Sequence, residues 1–183
     1  MRDIPWSEII GRIILPAIIN TLQMMFFCFI FSAVLGFIIA VSLYITREDG
    51  LRPNKIIFNI LNGSISILRS FPFMILMVII IPLTRIITGS SIGWTAALVP
   101  LTFASMPFMA RTIENSIKEV NPALIDAAKS VGASDMQIIF KVVIVEALPS
   151  LVTGFTLSAI HLLNLTTVAG AIGAGGLGAS ALQ

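Results

Sequence analysis

The chain has 183 residues, 57% of them hydrophobic and only 11% charged, with a mean hydropathy of +1.02. A water-soluble fold of this size cannot hide so much apolar surface, since small domains leave much of their surface exposed, and the bilayer is therefore the expected solvent. A net charge of +2 excludes a nucleic-acid-binding stripe, and the single cysteine, Cys28, excludes disulfide frameworks and cysteine metal clusters within the chain.

In chain order, no Asp, Glu, Lys or Arg occurs from Ile13 to Thr46, which exceeds the roughly 20 residues needed to cross the hydrocarbon as a helix. This run is too long for the core of a signal peptide and lacks a small-residue cleavage pattern, so it is expected to remain in the mature protein. A first span is predicted near Ala17 to Tyr44, closed by Arg47, Glu48, Asp49, Gly50 and Arg52-Pro53 as a solvated turn. Within it Ser32, Gly36 and Ala40 recur every four residues, placing three small side chains on one face that is expected to pack inward. Ile56 to Ile87 is too long for one straight crossing, at roughly 48 Å. An interfacial or tilted first half, a kink at Pro72 and a second span from Phe71 to about Ile87 resolve this, with Pro82 as a second bend and Arg69 snorkelling toward headgroups. Ile92 to Ala110 makes a third span containing Pro100 and Pro107, its end marked by Arg111. Residues 111–141 read as a structured polar loop, and a fourth span is predicted from about Val142 to Leu165, followed by a glycine-rich segment.

Eight of the eleven basic residues, Arg47, Arg52, Lys55, Arg69, Arg111, Lys118, Lys129 and Lys141, fall on one side of this topology, against Arg2, Arg12 and Arg85 on the other. The excess of basic residues on the cytoplasmic side of membrane proteins puts loops 46–55 and 111–141 inside and the N-terminus outside. In the second of these loops Asn121 is a helix N-cap and Pro122 a first helical residue with no hydrogen-bonding duty. Leu124, Ala127, Ala128 and Val131 share one face, and Gly132 can take the left-handed conformation that ends a helix. Ser134 and Gln137 have capping-box spacing for a second helix leading into the fourth span. The result is a helix–glycine–helix elbow whose small apolar tip suits either a groove on a cytoplasmic partner or the inner leaflet, and periodicity alone leaves both open.

Asp126-Ala127-Ala128, three further residues and Gly132 resemble the E-A-A-x-x-x-G motif of bacterial binding-protein-dependent ABC importer permeases. Asp126 stands where that motif usually has Glu, and Val145 where a proline usually follows, while Glu146-Ala147-Leu148-Pro149 is similar to the E-A-L-P continuation of the methionine-importer branch. Arg69-Ser70-Phe71-Pro72-Phe73, Thr88-Gly89-Ser90-Ser91-Ile92-Gly93 and the run from Gly170 to Gly178 are also similar to that branch. The resemblance implies an all-α transmembrane helical bundle forming a single permease domain over 1–183, with four spans visible and the branch's fifth span lacking. It also implies ATPase coupling through Asp126, Ala127, Ala128 and Gly132. The expected partners are a second copy of the chain, two cytoplasmic ATP-binding subunits that hold the ATP and Mg, and an extracellular or periplasmic substrate-binding protein or lipoprotein. The chain itself is expected to carry no cofactor and no catalytic activity, and methionine is the expected cargo. Permeation of another amino acid or an osmolyte, or ion-coupled secondary transport, is the alternative.

Gly173, Gly175 and Gly178 satisfy G-x-G-x-x-G, but no strand precedes them and no acidic residue follows, so a buried, closely packed chain reversal is the expectation. His161, the sole histidine, lies in a span, where an ionisable group is a functional candidate, although a neutral hydrogen-bonded histidine serves structure equally well. Asn164, Thr166 and Thr167 are gate or pathway candidates that can equally bond neighbouring helices.

Overall fold

The computed structural model describes residues 6–181, and every regular element among them is helical. In chain order they are α1 (Trp6–Ile9), a π-helical turn (Ile10–Ile14), α2 (Leu15–Thr46), α3 (Lys55–Ser70), α4 (Phe73–Thr88), α5 (Trp94–Lys118), α6 (Pro122–Ser130) and α7 (Asp135–Gln137). A π-helical stretch (Ile138–Val143), α8 (Ile144–Ala169), a second π turn (Gly170–Ala174) and α9 (Gly176–Ser180) complete them. Arg2, used above for orientation, lies outside the described residues.

Among the described residues three continuous helical stretches are long and apolar enough to cross a membrane, Ile10–Thr46, Trp94–Lys118 and Asp135–Ala174, and α3 with α4 make a fourth if the bent pair is counted as one span. The first starts earlier than its predicted bound at Ala17, because Glu8 and Arg12 pair one turn apart and sustain the helix into the polar region. The break between α3 and α4 falls at Phe71-Pro72, where Pro72 has φ −55° and ψ 136° and caps α4. The helix continues through Pro82 inside α4. The third helix does not end at Arg111: α5 runs two further turns to Lys118, since Arg111, Glu114 and Lys118 bond one another along its flank. The fourth begins at Asp135 and extends past Leu165 to Ala174, longer at both ends than its apolar core.

The described residues divide into two compact units. One comprises residues 6–32, Arg69–Ser105 and residues 159–181. Its core joins Met24, Cys28, Ala97, Leu101, Leu162, Ala169 and Ala174, with Phe73, Met77 and Trp94 packed against them. Ser32 and Ser105 bond each other in this unit with both side chains buried. The other unit comprises Ala33–Leu68 and Met106–Ser158, where Leu43, Ile65 and Ala110 make a second core with Ile39, Phe58 and Leu61. Here a Cβ on Gly36 would lie 3.0 Å from the Ala110 nitrogen and 3.0 Å from the Met109 Cβ, so α2 and α5 approach closely at a point where any side chain would press on the facing backbone. Ser32, Gly36 and Ala40 are all buried, as their four-residue spacing predicts.

The glycine-rich segment is a close-packed reversal. Gly173 has φ 103° and breaks the helix, and Gly175 and Gly176 also have positive φ. A Cβ on Gly178 would fall 2.1 Å from the Thr167 carbonyl oxygen, and one on Gly170 2.7 Å from that of Gly175. Backbone lies directly on backbone there, which only residues without a side chain permit.

Candidate coupling elbow and polar helix face

α6 is built by local rules. The Asn121 side chain accepts from the Ala123 amide at 3.0 Å, and Pro122 occupies the first turn, where its missing N–H goes unmissed. At the other end the Gly132 amide donates to the Lys129 carbonyl (2.9 Å) and the Ala133 amide to that of Ala128 (3.1 Å). Gly132 has φ 79°, so this is the double-bonded glycine termination in which two otherwise orphaned carbonyls are satisfied. The chain then re-enters a helix through a complete capping box. The Ser134 hydroxyl accepts from the Gln137 amide (3.4 Å), and the Gln137 side chain accepts from the Ser134 amide (2.9 Å).

The elbow is turned outward. No residue of α6 is buried; Asp126, Ala127 and Gly132 are exposed and Ala128 is half-buried. Leu124 is 40% exposed, Val131 83% and Met136 64%. Apolar side chains standing in the open beside Asp126 and Lys129 make this a candidate docking surface, since a covering partner or a lipid surface would remove them from water. Beside its base lies a hollow of about 300 Å³ lined by Ser116, Glu119, Val120, Asn121, Glu146, Ala147, Pro149 and Ser150.

Charges surround the elbow in a connected set that the motif reading did not single out. Glu114 is buried, with Arg111 Nη1 on its Oε2 at 2.7 Å and Lys118 Nζ at 2.5 Å from its Oε1. The 111, 114 and 118 spacing was visible as i, i+3 and i+4 pairs. Arg111 also bonds Asn62 of α3, and Arg52 bonds Asp135 of α7, pairings that sequence spacing gives no means of finding. In the preceding connection, Arg47 and Asp49 form a bidentate pair, which holds the Asp49 carboxyl down at about 2 and raises the Arg47 guanidinium. Glu48 pairs with Lys55 at 2.9 Å. Arg47, Glu48, Asp49, Lys55, Phe58, Asn59 and Lys118 line an open cavity of about 750 Å³.

The four pathway candidates on α8 separate. Thr166 is buried and its hydroxyl donates to the Leu163 carbonyl at 2.7 Å. Asn164 and Thr167 are exposed, and the Thr167 hydroxyl donates to the same carbonyl at 3.2 Å. His161 is half-buried, with Arg69 as the charged group acting on it. Steps of three and four residues place Glu146, Thr153, Thr156, Asn164 and Thr167 along one exposed helix face. Thr153 and Thr156 on that face were not among the sequence candidates; the period of α8 was the signal that could have found them.

Residues 33–183 match the family described as binding-protein-dependent transport system inner membrane component. The chain is 40% identical over 178 residues to the probable D-methionine transport system permease protein MetI of Vibrio cholerae, covering 97% of this chain and 79% of that protein. Against the D-methionine transport system permease protein MetI of Escherichia coli it is 41% identical over 164 residues, 90% of this chain and 76% of that one. A chain of the MetNI methionine ABC transporter in an inward-facing conformation matches with a TM-score of 0.89 at 42% identity, over 91% of this chain and 77% of that chain. A crystal structure of an amino acid ABC transporter with histidines shares the fold, with a TM-score of 0.73 at 22% identity. An all-α membrane chain with this elbow and these relatives belongs to the family of binding-protein-dependent transport system inner membrane components.

Proposed function

We propose that the chain is the transmembrane permease subunit of an ATP-binding-cassette importer that moves methionine across the bacterial cytoplasmic membrane. The observation that carries this reading is the outward-turned elbow at 121–137, on a chain 42% identical to one of the MetNI transporter. The chain forms one permease domain over 1–183 and works with a second copy of itself, two cytoplasmic ATP-binding subunits and an extracellular or periplasmic substrate-binding protein or lipoprotein. It lies with its N-terminus outside and loops 46–55 and 111–141 inside, as the distribution of basic residues supports. ATP and Mg belong to the partner subunits, and this chain makes and breaks no bonds of its own.

Mechanistically, Leu124, Ala127, Ala128 and Val131 form the apolar tip that enters a groove of the ATP-binding subunit, with Asp126 giving the contact its charge and Gly132 its angle. Closure of the two ATP-binding subunits displaces both elbows. On the outgoing side the displacement enters the membrane through one helical stretch, since α7 runs on into α8. Asn164 and Thr167, with Thr153 and Thr156 on the same face and His161 beside them, supply the polar side of the pathway; Thr166 stands behind that face.

The test is reconstitution in liposomes with ATP-binding subunits and a substrate-binding protein from the same organism. ATP-dependent accumulation of labelled methionine is expected. Uptake that proceeds without ATP under an imposed ion gradient would overturn the reading in favour of a secondary carrier.

A further inference from the structure

Two polar ties join α3 to the elbow from different directions. The first runs through Glu114, whose side chain is 1% exposed. A carboxylate buried to that degree is stable only when paired, and both of its oxygens are engaged by cations one turn away on either side. Held there by its Nη1, Arg111 directs Nη2 across to the Asn62 Oδ1 in the middle of α3. The second tie is Arg52 to Asp135: Arg52 lies in the connection that precedes α3, and Asp135 is the first residue of α7, the elbow's outgoing arm. Thus α5, which leads into the elbow, grips the middle of α3, and α7, which leaves it, grips the approach to α3.

Much of α3's packing is apolar, and Lys55 at its first turn also pairs with Glu48. Ile65, Phe58 and Leu61 pack with Leu43, Ala110 and Ile39. Apolar burial is non-directional, so it resists separation of helices far more than it resists sliding or rotation. Hydrogen-bonded charge pairs are directional and fix register. Against its apolar neighbours, Asn62 and Arg52 are points at which the register of α3 is fixed to the two arms of the elbow.

We infer that Asn62 and Arg52 are positioning residues through which the elbow carries α3 as a second moving part. The source of the displacement rests on the importer reading above; the mechanical linkage does not. α3 ends at the Phe71-Pro72 break, so a displacement of α3 is delivered to the one joint that interrupts a membrane crossing.

The linkage is tested on the full chain in a Cys28→Ala background with spin labels at the exposed positions Asn59→Cys on α3 and Lys129→Cys on α6. A single narrow distance distribution is expected for the parent, and a broad one for the Asn62→Ala, Arg52→Gln double variant. Asn62→Asp keeps an acceptor for Arg111 and should stay narrow. Arg52→Gln alone, at a side chain 79% exposed, leaves the fold intact and should broaden the distribution by itself. An unchanged width in Arg52→Gln and the double variant overturns the inference. In liposomes with the ATP-binding subunits, methionine taken up per ATP hydrolysed should fall about tenfold in the double variant, the size of one lost charge-assisted hydrogen bond. Uptake and hydrolysis falling in equal proportion would mean general damage and would also overturn it. Should the parent recruit no ATP-binding subunit, the importer reading fails while the distance widths still decide the linkage.

Discussion

Gly132 is the position at which the shape of the elbow can be altered with the least collateral change. Its φ of 79° lies in the left-handed region, and a Cβ there would meet nothing within 4 Å, so a substitution meets a conformational penalty with no steric one added. For an ordinary L-residue that penalty is about 1–2 kcal/mol. α6 has no buried residue with which to resist, so the penalty falls on the population of the correctly bent elbow, lowering it about 5- to 30-fold. Affinity for the ATP-binding subunits, measured by titration of the detergent-solubilised chain, should weaken by no more than that factor in Gly132→Ala. Gly132→Val should be worse, because β-branched residues tolerate positive φ least. Gly132→Asn should recover most of the loss, since asparagine enters this region readily. Equal affinities for all four proteins, or an Asn variant as impaired as the Ala one, would refute the reasoning.

Asn121→Ala removes the cap on the Ala123 amide and should cost α6 about 1 kcal/mol, seen as faster amide hydrogen exchange confined to 123–126. Asp126→Lys reverses the charge at the docking tip and should abolish co-purification with the ATP-binding subunits while leaving thermal stability unchanged; a complex of normal yield would exclude Asp126 from docking. Gly36→Leu drives a side chain into the Met109–Ala110 backbone and should destabilise the chain by about 1–3 kcal/mol, read as a lowered Tm in detergent. The Asp49 carboxyl, depressed to about 2 by Arg47, lends the 46–55 connection a stabilisation that is complete above the ordinary carboxylate range near 4 and is lost as pH falls through about 2. Asp49→Asn should therefore change exchange protection of that connection at pH 7 but match the parent at pH 2.

The elbow was legible because its ends are set by residues within a few positions of each other. Asn121 with Pro122, Gly132, and Ser134 with Gln137 each satisfy their own backbone groups, so the sequence states the geometry directly. The inward face of Ser32, Gly36 and Ala40 was legible for a similar reason, as a period that survives any tertiary arrangement. The extension of α5 to Lys118 was not, because hydropathy reports the surrounding medium while a helix needs only its hydrogen-bond period, and Arg111, Glu114 and Lys118 keep that period outside hydrocarbon. The pairings of Asn62 and Arg52 gave no signal, their partners lying 49 and 83 residues away. The glycine segment was legible as a tight reversal, but not as the place where particular backbones meet.

That reversal gathers three helix ends. The Leu177 amide donates to the Thr21 hydroxyl of α2 at 2.9 Å, the Gly93 amide just before α5 donates to the Gly173 carbonyl at 3.1 Å, and Gly178 lies against the last turn of α8 at Thr167. Parting this segment from α2 or from the start of α5 would strand the Leu177 amide or the Gly93 amide, at about 1–3 kcal/mol each where water cannot reach. This extremity of the unit therefore behaves as a rigid collar, and helix rearrangement within the unit is confined to the stretches farther from it.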